Sequence, residues 1–135
     1  MSLIPPGTID HIGIAVRDLD LARTTYESVL GAELSVCEIV EEQGVKVAFM
    51  TLPGATRVEL IAPTDGDGAV ARFLDTHGEG MHHICITVED IKKTLAVLEE
   101  AEVPLVDKSP RRGAEGSQIA FVHPAKLGYY TTYLQ

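Results

Sequence analysis

The run Asp10-His11-Ile12-Gly13-Ile14-Ala15-Val16-Arg17-Asp18-Leu19 returns 72 positions later as His82-His83-Ile84-Cys85-Ile86-Thr87-Val88-Glu89-Asp90-Ile91. In this alignment His11 falls on His83, Val16 on Val88 and Asp18 on Asp90. Such self-similarity means that one supersecondary unit is used twice, neither copy having enough apolar surface to stand alone. Each run reads as a strand, apolar and partly β-branched. Each ends at an aspartate suited to cap a helix.

Helical periodicity follows both times. After Asp18, residues Leu19, Ala22, Tyr26, Val29 and Leu30 fall on one face, and Gly31 stands where a C-terminal cap belongs. After Asp90, residues Ile91, Leu95 and Leu98 recur at helical spacing until Pro104 stops the pattern. Strands are expected next over Glu33–Glu38, Val45–Leu52 and Arg57–Ile61. In the second copy they are expected over Leu105–Asp107, Ser117–Val122 and Tyr129–Leu134. Pro63-Thr64-Asp65-Gly66-Asp67-Gly68 is a turn-rich break, and Ala69–Thr76 has the pattern of a short bridging helix. The expected fold is α+β: two tandem βαβββ modules, about 8–62 and 80–135, forming curved mixed sheets around a central cleft within a single domain spanning 1–135.

Side chains alternate along a strand, so residues two apart share a face. Ile12, Ile14 and Val16 form an apolar set that should meet the helix, which turns His11 the other way, toward the cleft. The same parity directs His83 to the equivalent place. Glu59, a charge inside the apolar run Val58-Glu59-Leu60-Ile61, should share that side. A single strand histidine is ordinarily a satisfied core or edge residue. Two repeat-related histidines and a glutamate on different strands instead make a candidate divalent-metal site, His11, Glu59 and His83. His82 has the opposite parity and is expected to face the helix or lie behind the site. His77 and His123, near turns, are expected to be exposed. Cys37 and Cys85 lie far apart inside strand-like runs and read as buried free thiols.

The formal net charge of −9 disfavours nucleic acid and anionic membranes as partners. No apolar run reaches the roughly 20 residues that span a bilayer. The opening Met1-Ser2-Leu3-Ile4-Pro5-Pro6 lacks a basic stretch leading into an apolar one, so a cytoplasmic location is expected. Arg111 and Arg112, ahead of a Gly113-Ala114-Glu115-Gly116 loop read as flexible, are candidates to bind a substrate carboxylate or phosphate; a solvated basic turn is the plainer alternative.

Several segments together resemble the vicinal oxygen chelate superfamily and, within it, the methylmalonyl-CoA epimerase family. They are Asp10–Val16, Glu42-Gln43-Gly44-Val45-Lys46-Val47-Ala48-Phe49, Val58-Glu59-Leu60, Gly78-Glu79-Gly80-Met81-His82-His83 and Pro110-Arg111-Arg112-Gly113-Ala114, running on to Phe121-Val122-His123-Pro124. The likeness extends from about Ile9 to Gly128. It implies a paired βαβββ fold, a homodimer, one divalent ion (cobalt, manganese, zinc or nickel suit the donor set) and an acyl-CoA substrate. It also implies epimerisation at the α-carbon of methylmalonyl-CoA, with His11, Glu59 and His83 matching the metal ligands. The family's last-strand glutamate is replaced by Thr132, and a glutamate found in some members is replaced by Val47. Glu41, Glu42 and Glu79 are substitute bases by neighbourhood only, each more simply a solvated charge. Tyr129, Tyr130 and Tyr133 carry phenols of ordinary pKa about 10 and read as packing residues. A ligand-binding member without chemistry, or a glyoxalase I-like lyase, are the alternatives.

Overall fold

The computed structural model describes residues 7–125 and 130–135. In chain order the elements are β1 (Ile9–Ala15), α1 (Leu19–Leu30), β2 (Glu33–Val40), β3 (Val45–Thr51), β4 (Arg57–Pro63), α2 (Ala69–His77), β5 (Gly80–Thr87), α3 (Ile91–Glu100), β6 (Arg111–Arg112), β7 (Gln118–Val122) and β8 (Tyr130–Leu134). The class is α+β, and β-α-β-β-β occurs twice with α2 between. By contacts the chain divides into two compact units, one from His11 to His82 and one from His83 to Gln135 together with the residues before His11.

In the His11–His82 unit the strand order is β2-β3-β4-β1. β2, β3 and β4 form an antiparallel meander, and β1 returns parallel to β4. The Asp18 carboxylate accepts the Leu21 N–H at 3.0 Å, which starts α1. Gly31 ends it in the left-handed conformation at φ 67°. One sheet face packs on this helix: Ile14, Val16, Leu19, Ala22 and Tyr26 with Ala48, Met50, Val58, Leu60 and Ala62. Val29 and Leu30, expected on that face, are instead 72% and 48% exposed. Val29 lies on the flank of the stripe, and Leu30 sits in the last turn, where the left-handed cap redirects the chain. Cys37 is exposed rather than buried, because β2 is the outer strand of this order; Cys85 is buried as expected.

In the His83–Gln135 unit the order is β5-β8-β7-β6, with β5 parallel to β8 and the remaining pairs antiparallel. The Asp90 carboxylate caps α3 through Lys93 N–H. Ile91, Leu95 and Leu98 of that helix pack on Ala120, Val122 and Tyr133. The strand expected at Leu105–Asp107 is reduced to one bridge, Leu105 to Val122, and the paired strand is Arg111–Arg112. Between Pro104 and Pro110 the ladder is interrupted. The Val106 and Asp107 N–H groups both donate to Phe121 O, while the Asp107 side chain takes the Phe121 N–H. Tyr129 lies outside the described residues, as does the side chain of Tyr130. No helix among the described residues is long and apolar enough to cross a membrane.

The packing ranks three substitutions. Leu60→Ala, at a side chain with no exposure, should cost about 2–5 kcal/mol. Gly31→Ala should cost about 1 kcal/mol through its left-handed backbone. Val29→Ser should change stability by less than about 0.5 kcal/mol. Denaturant unfolding midpoints read all three, and a costly Val29→Ser would contradict its exposure.

Candidate functional site

The face of each sheet turned away from its helix carries the polar groups. In the His11–His82 unit, Glu59 stands opposite Gly13 on β1 and Phe49 on β3. His11 lies two residues before Gly13 on the same face, with its Nε2 3.4 Å from Glu59 Oε1. Both residues are buried, at 5% and 7% exposure. The His11 ring meets Phe49 edge-on at 5.1 Å, and the Arg57 guanidinium lies over the other side of this aromatic patch, 4.4 Å from the Phe49 centroid. A buried carboxylate and imidazole are costly unless each has a partner. A nitrogen and an oxygen ligand, each about 2.1 Å from one tetrahedral metal ion, stand about 3.4 Å apart. The pair's separation and donor chemistry therefore fit a divalent ion.

The His83–Gln135 unit repeats this pattern with different chemistry. His83 is 2% exposed and meets Phe121 edge-on at 5.6 Å. Cys85 stands opposite Thr132 on β8, which stands opposite Phe121 on β7. Cys85 corresponds to Gly13 and Phe121 to Phe49 by the same 72-residue offset that relates the histidines. Thr132 is therefore the positional counterpart of Glu59. It is 2% exposed, and among the described residues its Oγ1 has no hydrogen-bond partner.

Arg111 covers this aromatic patch as Arg57 covers the other, with its guanidinium 5.2 Å from the Phe121 centroid. Its Nε lies 3.2 Å from Asp107 Oδ2, the same oxygen that accepts the Phe121 N–H at 2.9 Å. The contact is an ion pair only, since Arg111 Nε has no hydrogen-bond partner among the described residues. Arg112, next along the strand, leaves from the opposite side and is exposed. The Gly113–Gly116 segment, expected to be flexible, is a hydrogen-bonded turn. Gly113 N–H donates to Ser117 O, and Ser117 Oγ donates to Ala114 O.

The other candidates separate cleanly. His82 is buried with its ring 4.8 Å from Phe73 of α2, the bridging helix, rather than against the α3 helix of its module. His77 is exposed while stacking on the same Phe73, and His123 is exposed. Glu41 and Glu42 are exposed on a 3-10 turn, and Glu79 is exposed with its carboxylate accepting the Arg17 N–H. Tyr133 lies in the helix-side core, where burial raises its phenol above the usual value, so it is no base. Val47 is 1% exposed, on Glu59's side of β3. Sequence reasoning missed Phe49, Phe121, Arg57 and Asp107. The signal for the two rings was present, since Val47-Ala48-Phe49 recurs as Ile119-Ala120-Phe121 at the repeat offset.

Comparison with known proteins places this geometry. The profile of the Glyoxalase/Bleomycin resistance protein/Dioxygenase superfamily matches residues 10–121. An uncharacterized protein of Bacillus subtilis is 44% identical over 86% of this chain and 82% of its own. The mitochondrial methylmalonyl-CoA epimerase of Bos taurus is 37% identical over 90% of this chain and 70% of its own. A solved structure of methylmalonyl-CoA epimerase in complex with methylmalonyl-CoA and ammonium superposes with a TM-score of 0.90 at 37% identity, covering 96% of this chain and 94% of that one.

The role of Asp107 separates into two parts. Asp107→Ala removes the side-chain acceptor of the Phe121 N–H and should lower stability by about 1–3 kcal/mol. Asp107→Asn keeps an acceptor there and loses only a part-exposed ion pair, which should cost under about 1 kcal/mol. Equal losses in chemical denaturation would show that the hydrogen bond to Phe121 carries no weight.

Proposed function

Because this chain belongs to the vicinal oxygen chelate superfamily, in its methylmalonyl-CoA epimerase branch, we propose that it is a metal-dependent epimerase interconverting the (R) and (S) forms of methylmalonyl-CoA. The observation that carries this reading is the near-full-length likeness to methylmalonyl-CoA epimerases. The buried His11–Glu59 pair, with its metal-compatible separation, supports it.

His11, Glu59 and His83 are proposed as the ligands of one divalent ion. All three are buried imidazole or carboxylate side chains, and the two histidines are repeat counterparts. The mixed set suits cobalt, manganese, zinc or nickel, and we take cobalt as the reference ion. Such an ion supplies Lewis acidity toward the charge that develops when the α-proton, flanked by a thioester and a carboxylate, is removed. The chain's own contributions are orientation and dryness. Phe49 meets the His11 ring and Phe121 the His83 ring edge-on, which helps keep each imidazole out of bulk water. Arg111, ion-paired at Nε with Asp107, is proposed to direct its guanidinium at the substrate carboxylate. Exposed Arg112 is the candidate for a coenzyme A phosphate. We further propose a homodimer in the cytoplasm, and a single domain whose modules run about 8–62 and 80–135.

A second reading, a ligand-binding member without turnover, has a specific basis. Neither Val47 nor Thr132 offers a carboxylate where the family likeness would put a base. Exchange of the α-proton of methylmalonyl-CoA in deuterated water, followed by NMR with stripped and cobalt-reloaded protein, decides between them. Cobalt-dependent exchange is the expected outcome. Saturable binding with no exchange would establish the second reading instead. His11→Ala and His83→Ala should each abolish stoichiometric cobalt binding in equilibrium dialysis, and full retention in either variant would remove that residue from the ligand set.

A further inference from the structure

Thr132 stands where the internal repeat calls for a second Glu59. The register repeats strand by strand: Gly13–Glu59–Phe49 in one unit and Cys85–Thr132–Phe121 in the other. In the first unit the glutamate reaches the histidine two residues before its β-strand neighbour, His11 before Gly13. In the second unit, His83 holds that place before Cys85. A threonine side chain ends well short of the point a glutamate carboxylate would reach, and Oγ1 sits buried with no hydrogen-bond partner among the described residues. Native proteins rarely leave a buried hydroxyl unpaired without a ligand or a water to take it. The shortfall in length and the missing hydrogen bond have one common remedy, a small polar occupant beside His83 and Thr132 on the face they share.

Resting on the metal centre proposed above, we propose that Thr132 is a positioning residue. Its hydroxyl hydrogen-bonds the water that fills the position a fourth protein ligand would take. A hydroxyl can serve as acceptor or donor. Toward a water whose lone pair is turned to a cation, Oγ1 accepts. Toward a substrate oxygen that displaces that water, the O–H rotates and donates. With His11, Glu59 and His83 as its ligands such a centre would have three protein donors, and Thr132 would choose the fourth occupant by hydrogen bonding instead of supplying it.

The test uses full-length protein, cobalt alone as probe, and three variants. Thr132→Val keeps the shape and deletes the hydroxyl; Thr132→Ser keeps the hydroxyl; Thr132→Glu fills the position with a carboxylate. Titration calorimetry and the visible absorption of bound cobalt report affinity and coordination without any assay of activity. Thr132→Val should weaken cobalt about 10-fold or more and shift its absorption bands. Thr132→Ser should restore the wild-type spectrum, and Thr132→Glu should bind cobalt more tightly. Unchanged affinity and spectrum in Thr132→Val, with wild type binding cobalt and His83→Ala not, would overturn the role of Thr132 while sparing the metal centre. Failure of wild type to bind cobalt would overturn the centre itself and this inference with it.

Discussion

Each half of this protein depends on the pleat of a β-sheet that has one face covered by a helix. Once α1 covers Ala48, Met50, Val58, Leu60 and Ala62, the residues between them must point the other way. This constraint puts His11, Phe49 and Glu59 on a common face. In the second unit α3 covers Ala120, Val122 and Tyr133, and the same alternation turns out His83, Phe121 and Thr132. A register slip of one residue in any of these strands would exchange the two sets and destroy core and site together. The core therefore enforces the position of the polar groups.

The repeat also shows how a duplicated unit becomes asymmetric. Histidine and phenylalanine are kept at the repeat offset in both copies, and an arginine covers each ring. The two arginines arrive from different places, Arg57 from the strand that carries Glu59 and Arg111 from the short strand beside β7. Two positions diverge: glycine and glutamate in one copy, cysteine and threonine in the other. Two halves with one backbone plan thus offer unlike donors.

Much of the fold was legible because the repeat, the aspartate caps and the glycine stop are local signals. Asp18, Asp90 and Gly31 perform the roles their neighbours in sequence suggest. The readings that failed depended on what lies beyond the neighbourhood. Cys37 has the apolar context of a buried thiol but sits on the outer strand of its unit. Val29 continues the helical stripe but has no sheet beneath it. The Leu105–Asp107 strand loses its ladder because an aspartate side chain takes the backbone donor that a strand would have used. The site was legible to the extent that it follows alternation. His11 and His83 were placed on their faces by parity, Glu59 by being a charge inside an apolar run, and His82 was assigned to the opposite face by the same alternation.

The sequence by itself determined the duplicated β-α-β-β-β plan, the parity of every site residue and the chemical kinds of donor available, because these follow from short-range pattern and residue identity. Tertiary structure decided which partners meet. Strand order set Glu59 opposite Gly13, so that His11 came within 3.4 Å of it. It also put Thr132, eleven residues from Phe121 and forty-nine from His83 in sequence, on their common face with its hydroxyl unpaired among the described residues. Register between strands distant in sequence is a long-range property, settled by packing many side chains at once, and no local pattern encodes it.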